Sequence, residues 1–298
     1  MAADSIRHLT AGNAGPFTGT GTNTYLVGRR ALAVIDPGPD DGAHLAAILA
    51  AAGGRPITHI LVTHAHRDHV DGVGALKAAT GAVTVGYGRG SEMAAGAGKA
   101  DSSSPSGGDF IDWSLAPDIT LVHGETFEVG DAVLEAVHTP GHAPDHLCFA
   151  LGGDHPVLFS GDHVMGWSTS VIAPPEGSMG DYLRSLELLL TRGERRYLPG
   201  HGDEIADGHR TARAYLLHRQ MREQAVLGAV RDGLATIPAI TGRVYDGIAA
   251  QLLNAARLSV QAHVELLAEK GLVSFEGPLR HAERIISRQR DAGIPSLG

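Results

Sequence analysis

The chain is poor in cysteine, aromatic residues and positive charge, and it has no long apolar run. Cys148 is the only cysteine among 298 residues, which excludes an internal disulfide. It sits in Leu147-Cys148-Phe149-Ala150, an apolar stretch that reads as core. No stretch of 18 or more apolar residues is present, so no transmembrane helix is expected. The start, Met1-Ala2-Ala3-Asp4-Ser5, lacks a basic segment leading into an apolar one. No secretory signal is read there, and a cytoplasmic location is expected. Lys and Arg number 24 against 33 Asp and Glu, a formal net charge of -9, which disfavours non-specific binding to nucleic acid. The imbalance is uneven: residues 215–298 carry 10 cationic and 8 acidic side chains, and the remainder carries 14 and 25. Apolar content of 43% with 19% charged residues reads as an ordinary globular protein with room for one large domain and a small one.

What is present is concentrated in Thr63-His64-Ala65-His66-Arg67-Asp68-His69-Val70-Asp71-Gly72. Three histidines and an aspartate follow the apolar run Ile60-Leu61-Val62 and precede Val70, Val73 and Leu76, which have helical spacing. A strand therefore ends in a tight turn that opens a helix. Neutral imidazole and carboxylate are the ligands a borderline-soft divalent metal accepts. One His-x-His is weak evidence, whereas His-x-His-x-Asp-His at a strand end is strong, and a metal site is expected here. Three more polar clusters carry a candidate ligand beside glycine: His138-Thr139-Pro140-Gly141-His142, Ser160-Gly161-Asp162-His163 and Pro199-Gly200-His201-Gly202. Glycine permits the sharp turns and close backbone approach that ligands converging from distant loops require.

The pattern along the chain places these motifs. Strands are expected at 23–27, 31–35, 57–62 and 83–85, with helices at 41–52 and 70–79 between them. Residues 126–129 and 132–137 read as a hairpin, 147–151 and 157–159 as a second pair, and 181–190 as a helix. Residues 88–118 break the rhythm with loop composition and read as a substrate-facing lid or pocket wall, with Trp113 as its apolar contact. After His201 the pattern changes to a helix at 207–230 and a turn at Ile237-Pro238-Ala239-Ile240. Helices follow at 246–257 and 258–270, then a strand at 272–275 and a turn at 276–278. Two similar halves with ligand-bearing loops suggest two mixed sheets face to face, with a doubly wound α/β fold as the competitor.

The order of these motifs resembles the metallo-beta-lactamase superfamily of metallohydrolases over about residues 15–205. His64, His66, Asp68 and His69 match its main motif, His142 its next ligand, Asp162 its bridging carboxylate and His201 its final histidine. Asp36 matches an early aspartate at a strand end. Within the superfamily the chain looks like the branch of beta-lactamase-like protein 2, which carries a C-terminal winged-helix-like domain and includes endoribonucleases selective for single strands. The resemblance implies an α/β fold, a four-layer αββα sandwich over residues 1–215 with a small winged-helix-like domain over 216–298. It also implies two divalent metal ions. His64, His66 and His142 would hold the first, Asp68, His69 and His201 the second, and Asp162 both. Zinc is expected, with manganese or iron tolerated at the second position. Asp68, Asp162 and Asp36 are the expected catalytic carboxylates, Asp36 by orienting a ligand histidine.

The implied reaction is hydrolysis by a metal-bridging hydroxide. The branch favours a phosphodiester of single-stranded RNA. The acidic composition points instead to a thioester or carboxylic ester, in the manner of glyoxalase II. Phe110, Trp113 and Trp167 could stack bases, and Arg184, Arg213 and Arg243 could assemble a groove. For a small ester, Trp113, Met165 and Trp167 would line a cleft. Of the remaining histidines, His138 and His146 read as structural or rim groups, and His163 and His263 as packed. Tyr197 reads as core. Gln261, Glu265, Glu269 and Lys270 on the presumed recognition helix offer phosphates a poor surface. A role in packing, pocket walling or a homodimer is expected for the C-terminal domain, with a metal-containing DNA-binding regulator as the non-enzymatic alternative.

Overall fold

Strands that are apolar on both faces must be covered on both sides. The strands nearest the histidine motif have this character, and four layers follow from it. The computed structural model describes residues 6–87, 110–112, 114–276, 279 and 285–288. One mixed sheet has the order β1 (Ile6–Thr10), β2 (Asn23–Val27), β3 (Leu32–Ile35), β4 (Ile57–Leu61), β5 (Val83–Tyr87), β6 (Ile119–Leu121). Its first three strands are antiparallel and β3 to β6 run parallel. The second sheet has the order β11 (Arg196–Pro199), β10 (Val157–Gly161), β9 (Leu147–Leu151), β8 (Ala132–His138), β7 (Thr126–Val129), with only β10 and β11 parallel.

Alternation along each strand sorts the side chains into layers. Tyr25, Val27, Ala33, Ile35 and Leu61 point to the centre, where they meet Leu147, Phe149, Val157 and Phe159 of the other sheet. The residues between them face outward. Leu26, Leu32, Val34 and Ile60 pack with Ile48 of α1 (Gly42–Ala52), Val70 of α2 (Arg67–Val70) and Leu76 of α3 (Val73–Thr80). On the far side, Val137, Cys148 and Leu158 are covered by α4 (Met179–Thr191) and by Ala212 of α5 (Gly208–Arg231). Burial pushes the Cys148 thiol up to about 12, in keeping with a core residue. Two mixed sheets face to face are therefore observed, and the doubly wound alternative is excluded.

The C-terminal part differs from the expected elements. Ile237-Pro238-Ala239-Ile240 is not a turn but the start of α6 (Ile237–Val244). Thr236 caps that helix by accepting from Ala239 N at 3.3 Å, and proline fits the first turn, where no helical hydrogen bond is lost. The two helices expected at 246–257 and 258–270 are a short 3-10 turn (Ala250–Leu252) and one helix, α7 (Leu253–Glu269). A two-stranded sheet follows, β12 (Val273–Phe275) with β13 (Ile285–Ser287). Near the histidine motif the single expected helix is divided into α2 and α3 at Gly72, whose Cβ would meet three backbone carbonyls at 3.1 Å.

α5 joins the two parts. Its early turns bury Ala212 against the second sheet, and its last turns place Val226, Leu227 and Val230 in the C-terminal core with Ile240, Val260 and Val264. The expected domain boundary at 215/216 falls inside this helix. α7 also reaches back, placing Ala262 and Leu266 with Tyr182 and Leu186 of α4. No helix among the described residues is long and apolar enough to cross a membrane.

Candidate metal centre

Five strands end at one rim of the sandwich and deliver the candidate ligands there. Asp36 follows β3, His64 to His69 follow β4, His142 follows β8, Asp162 follows β10 and His201 follows β11. His64, His66, His142 and Asp162 form one group and Asp68, His69 and His201 a second, with ligand atoms inside each group no more than 4.8 Å apart. Glycine is required where the loops cross. A Cβ on Gly200 would stand 2.6 Å from Asp162 Oδ1 and 2.8 Å from His69 Cε1. Gly200→Ala is therefore expected to lower metal affinity at least about tenfold, since ligand constellations tolerate only ~0.5 Å of displacement. Gly193→Ala, which meets nothing within 4 Å, should leave it unchanged. Zinc titration of the three chains checks this.

Hydrogen-bond accounting fixes which ring nitrogens are free to bind a cation. His69 Nδ1 donates to Asp36 Oδ2 at 2.8 Å, and His201 Nδ1 donates to Gly21 O at 3.1 Å. In the neutral rings their Nε2 atoms then carry the lone pairs. These lie 3.3 Å apart, and 3.5 and 3.2 Å from Asp68 Oδ2. Asp162 Oδ1 completes this set at 3.5 and 3.4 Å from the same two nitrogens, and it is buried with no hydrogen-bond partner. Four electron-rich atoms around one point need a cation between them. Tetrahedral zinc with Zn–N bonds of about 2.0–2.1 Å separates its ligands by roughly 3.4 Å, which these distances match.

The other set follows the same logic. His142 Nδ1 donates to Val171 O at 2.6 Å. His64 Nδ1 donates to Thr63 Oγ1 at 3.0 Å, and that hydroxyl spends its own proton on Asp36 Oδ2 at 2.7 Å. The freed His64 Nε2 and His142 Nε2 lie 2.9 and 3.0 Å from His66 Nδ1, and Asp162 Oδ2 is 3.6 Å from His142 Nε2. Asp162 thus presents one oxygen to each set.

The electrostatics differ between the sets. Burial, and then the neighbouring imidazoles, hold His64 well below the usual histidine range, and burial with His142 pushes His66 down to about 3. Burial also opposes charge on His69, but Asp68, Asp162 and Asp36 outweigh it and hold its pKa well above the usual value. His201 is likewise raised, to about 10, with Asp162 the main opponent of burial. Burial resists charge on Asp162, yet His201 and His69 keep its pKa well below the carboxylate range. A positive charge between Asp68, Asp162 and these two imidazoles is therefore favoured, whether proton or metal ion.

Asp36 lies beside the candidate ligands and not among them. It is 2% exposed with φ 49°, and its two oxygens accept from Thr63 N at 2.8 Å, Thr63 Oγ1 and His69 Nδ1. It orients one histidine of each set, directly for His69 and through Thr63 for His64. His146 is structural: it is buried, and its Nε2 accepts from Asp162 N at 3.1 Å. His138 stacks on Tyr87 at 4.1 Å and contacts Pro144 O, apart from both sets. His163 and His263 are buried outside both sets, and Tyr197 is core. Met165, expected to line a cleft, is instead buried at 4% exposure. Trp113 and most of the proposed lid lie outside the described residues; Phe110 and Ile111 do border the site, Ile111 bridging to His66. Sequence reasoning missed Thr63, the Gly21 and Val171 carbonyls, and Thr22, whose hydroxyl donates to Asp68 Oδ2 at 3.2 Å. Backbone acceptors leave no residue-type signal, and Thr63 could be found only by its adjacency to the motif.

Two face-to-face mixed sheets with two histidine–aspartate sets at one rim define a metallohydrolase type of centre. The chain belongs to the metallo-beta-lactamase superfamily, whose family model matches residues 17–201, and a beta-lactamase associated winged helix domain matches residues 236–280. It is 32% identical over 282 residues to the beta-lactamase-like protein 2 homolog of Drosophila melanogaster, covering 90% of this chain and 89% of that one. It is 30% identical over 278 residues to the atrochrysone carboxyl ACP thioesterase AacuM of Aspergillus aculeatus, covering 88% and 80%. Among solved structures it is similar to a metallo-beta-lactamase family protein from Thermus thermophilus, with a TM-score of 0.76, 25% identity and coverage of 96% and 99%.

Proposed function

We propose that the chain is a dinuclear metal-dependent hydrolase of thioesters or carboxylic esters. The observation that carries the two-metal reading is the division of Asp162, one oxygen toward each set of imidazole lone pairs. His64, His66 and His142 would hold one ion, Asp68, His69 and His201 the other, with Asp162 contributing to both. The first, histidine-rich set suits zinc, and the second, with its carboxylates, also tolerates manganese or iron. Two divalent ions, when bound, supply a water of lowered pKa as nucleophile and polarise the scissile carbonyl. Asp36 keeps His69 and His64 in the tautomers that leave their Nε2 atoms free, and Thr22 fixes Asp68.

The substrate reading rests on the likeness to a protein named as an acyl-carrier thioesterase, and on the surroundings of the centre. Trp167 packs between Gly19 and Gly202, the residue after His201, and remains 47% exposed. Phe17, in the turn closed by the Gly15–Gly19 bridge, and Phe110 beside Arg67 are exposed as well. These apolar groups suit an acyl or aryl chain. A polynucleotide would instead need a continuous cationic track. Arg67 pairs with Asp71, Arg184 with Asp181 and Arg243 with Asp232. The regulator alternative would require α7 to enter a DNA groove, and α7 buries Ala262 and Leu266 against α4.

One metal-loaded preparation assayed on an acyl thioester, labelled single-stranded RNA and bis-p-nitrophenyl phosphate tests the substrate. Thioester turnover that disappears in Asp162→Ala is the expected result. Turnover of RNA alone, also lost in that variant, would overturn the ester reading and restore the phosphodiester one while the metal chemistry stands.

A further inference from the structure

We infer that Arg219 is a positioning residue for the ligand set of His64, His66, His142 and Asp162. It acts through the loop that joins Asp162 to Val171, and it touches neither ligand itself. Both ends of that loop serve the same set. Asp162 supplies a ligand oxygen, and Val171 O is the acceptor that orients His142. Between them the chain lies outside both sheets, and side chains satisfy its carbonyls. Ser170 Oγ donates within reach of Asp162 O and His163 O, and Tyr182 OH of α4 donates to His163 O at 3.0 Å. Ser160 Oγ donates to Val164 O at 2.7 Å. α5 supplies the remaining donors: Tyr215 OH reaches Met165 O at 2.8 Å and also Ser168 O, and Arg219 Nη2 reaches Ser170 O.

Arg219 therefore holds the residue whose hydroxyl steadies Asp162 and whose carbonyl precedes the one that fixes His142. A guanidinium is costly to bury, and this one is 3% exposed, with its Nε unpartnered and its carbon 5.5 Å from the centre of the Tyr182 ring. Packing alone would be served by an apolar side chain. A rigid charged donor aimed at one carbonyl is what the site gains from arginine. Tyr215 and Arg219 are four apart and share a face of α5, the helix that continues into the C-terminal core. The loop is thus referenced to the element that joins the two parts of the chain. The second set is gripped from β2 instead: Asn23 Nδ2 donates to Pro199 O at 3.0 Å and Gly202 O at 2.8 Å, on either side of His201, and Tyr25 OH donates to Pro199 O at 2.8 Å, while His69 and His201 are oriented by Asp36 and Gly21.

The inference rests on the two-ion reading, and its test keeps the two apart. The full-length metal-free chain is titrated with zinc against a chromophoric chelator that resolves two binding steps, and its Tm is measured without metal. His142→Ala and Asp68→Ala identify which step belongs to which set. Arg219→Met should weaken the His142 step about tenfold or more and the Asp68 step by less, because Asp162 serves both sets but His142 only the first, and Arg219→Lys should recover part of the loss. Ser170→Ala, which spares the arginine, should weaken the same step. Two unchanged steps in Arg219→Met, or two steps weakened equally, with or without a fall in Tm, would overturn the assignment. Fewer than two zinc ions on the wild-type chain would instead strike the two-ion reading beneath it.

Discussion

Replacing Asp162 with alanine is expected to reduce turnover by at least about a thousandfold and to leave fewer than two ions on the chain. The carboxylate contributes one oxygen to each ligand set, so its loss opens both. Its removal also leaves two imidazoles and Asp68 facing one another with less negative charge to hold a cation, because Asp162 is a principal source of the field that raises His201. Side-chain loss need not unfold the loop, since Asp162 N is held by His146 and its carbonyl by Ser170. Turnover measured beside metal content separates this outcome from collapse. Two tightly held ions with ordinary turnover in Asp162→Ala would remove the bridging role.

The second large effect is expected at Asp36. Alanine there should lower metal affinity or turnover by about 10–100-fold, the usual cost of losing a group that orients ligands. Thr63 N, Thr63 Oγ1 and His69 Nδ1 would each lose an acceptor in a buried place, a cost of roughly 1–3 kcal/mol apiece. His69 would then be free to adopt the tautomer that puts a proton at the ligand position. Asparagine should fall between, because it tolerates the positive φ at this position and keeps one acceptor oxygen, but it cannot serve all three donors. Zinc affinity in the order wild type, Asp36→Asn, Asp36→Ala is the expected series. Equal affinity in all three would remove the orienting role.

The ligand set was legible because four of its members sit in one turn of chain. His64, His66, Asp68 and His69 need only the end of β4 and the start of α2 to be brought together. His142, Asp162 and His201 are far apart in sequence, and the glycines beside them marked the loops that converge. Gly200 makes the reason visible, as any side chain there would meet Asp162 and His69. The central layers were less legible, because strands such as β2 and β9 are buried along their whole length and no apolar–polar alternation marks which face meets the other sheet.

Elements fixed by tertiary partners were harder to read. β1 is an edge strand of mixed polarity that exists by pairing with β2, and β6 is a three-residue strand paired with β5. Ile237-Pro238 looked like a turn because proline usually ends helices, yet the Thr236 cap makes it a helix start. Arg219 gave no signal at all. Its partner is a backbone carbonyl 49 positions away, and in the sequence it is one more arginine on a basic helix.

The content of bound metal tests the central claim most directly. Elemental analysis of the chain, purified without added metal or chelator, is expected to give about two divalent ions per molecule, mainly zinc. A stoichiometry near zero that does not rise after incubation with zinc or manganese would contradict it.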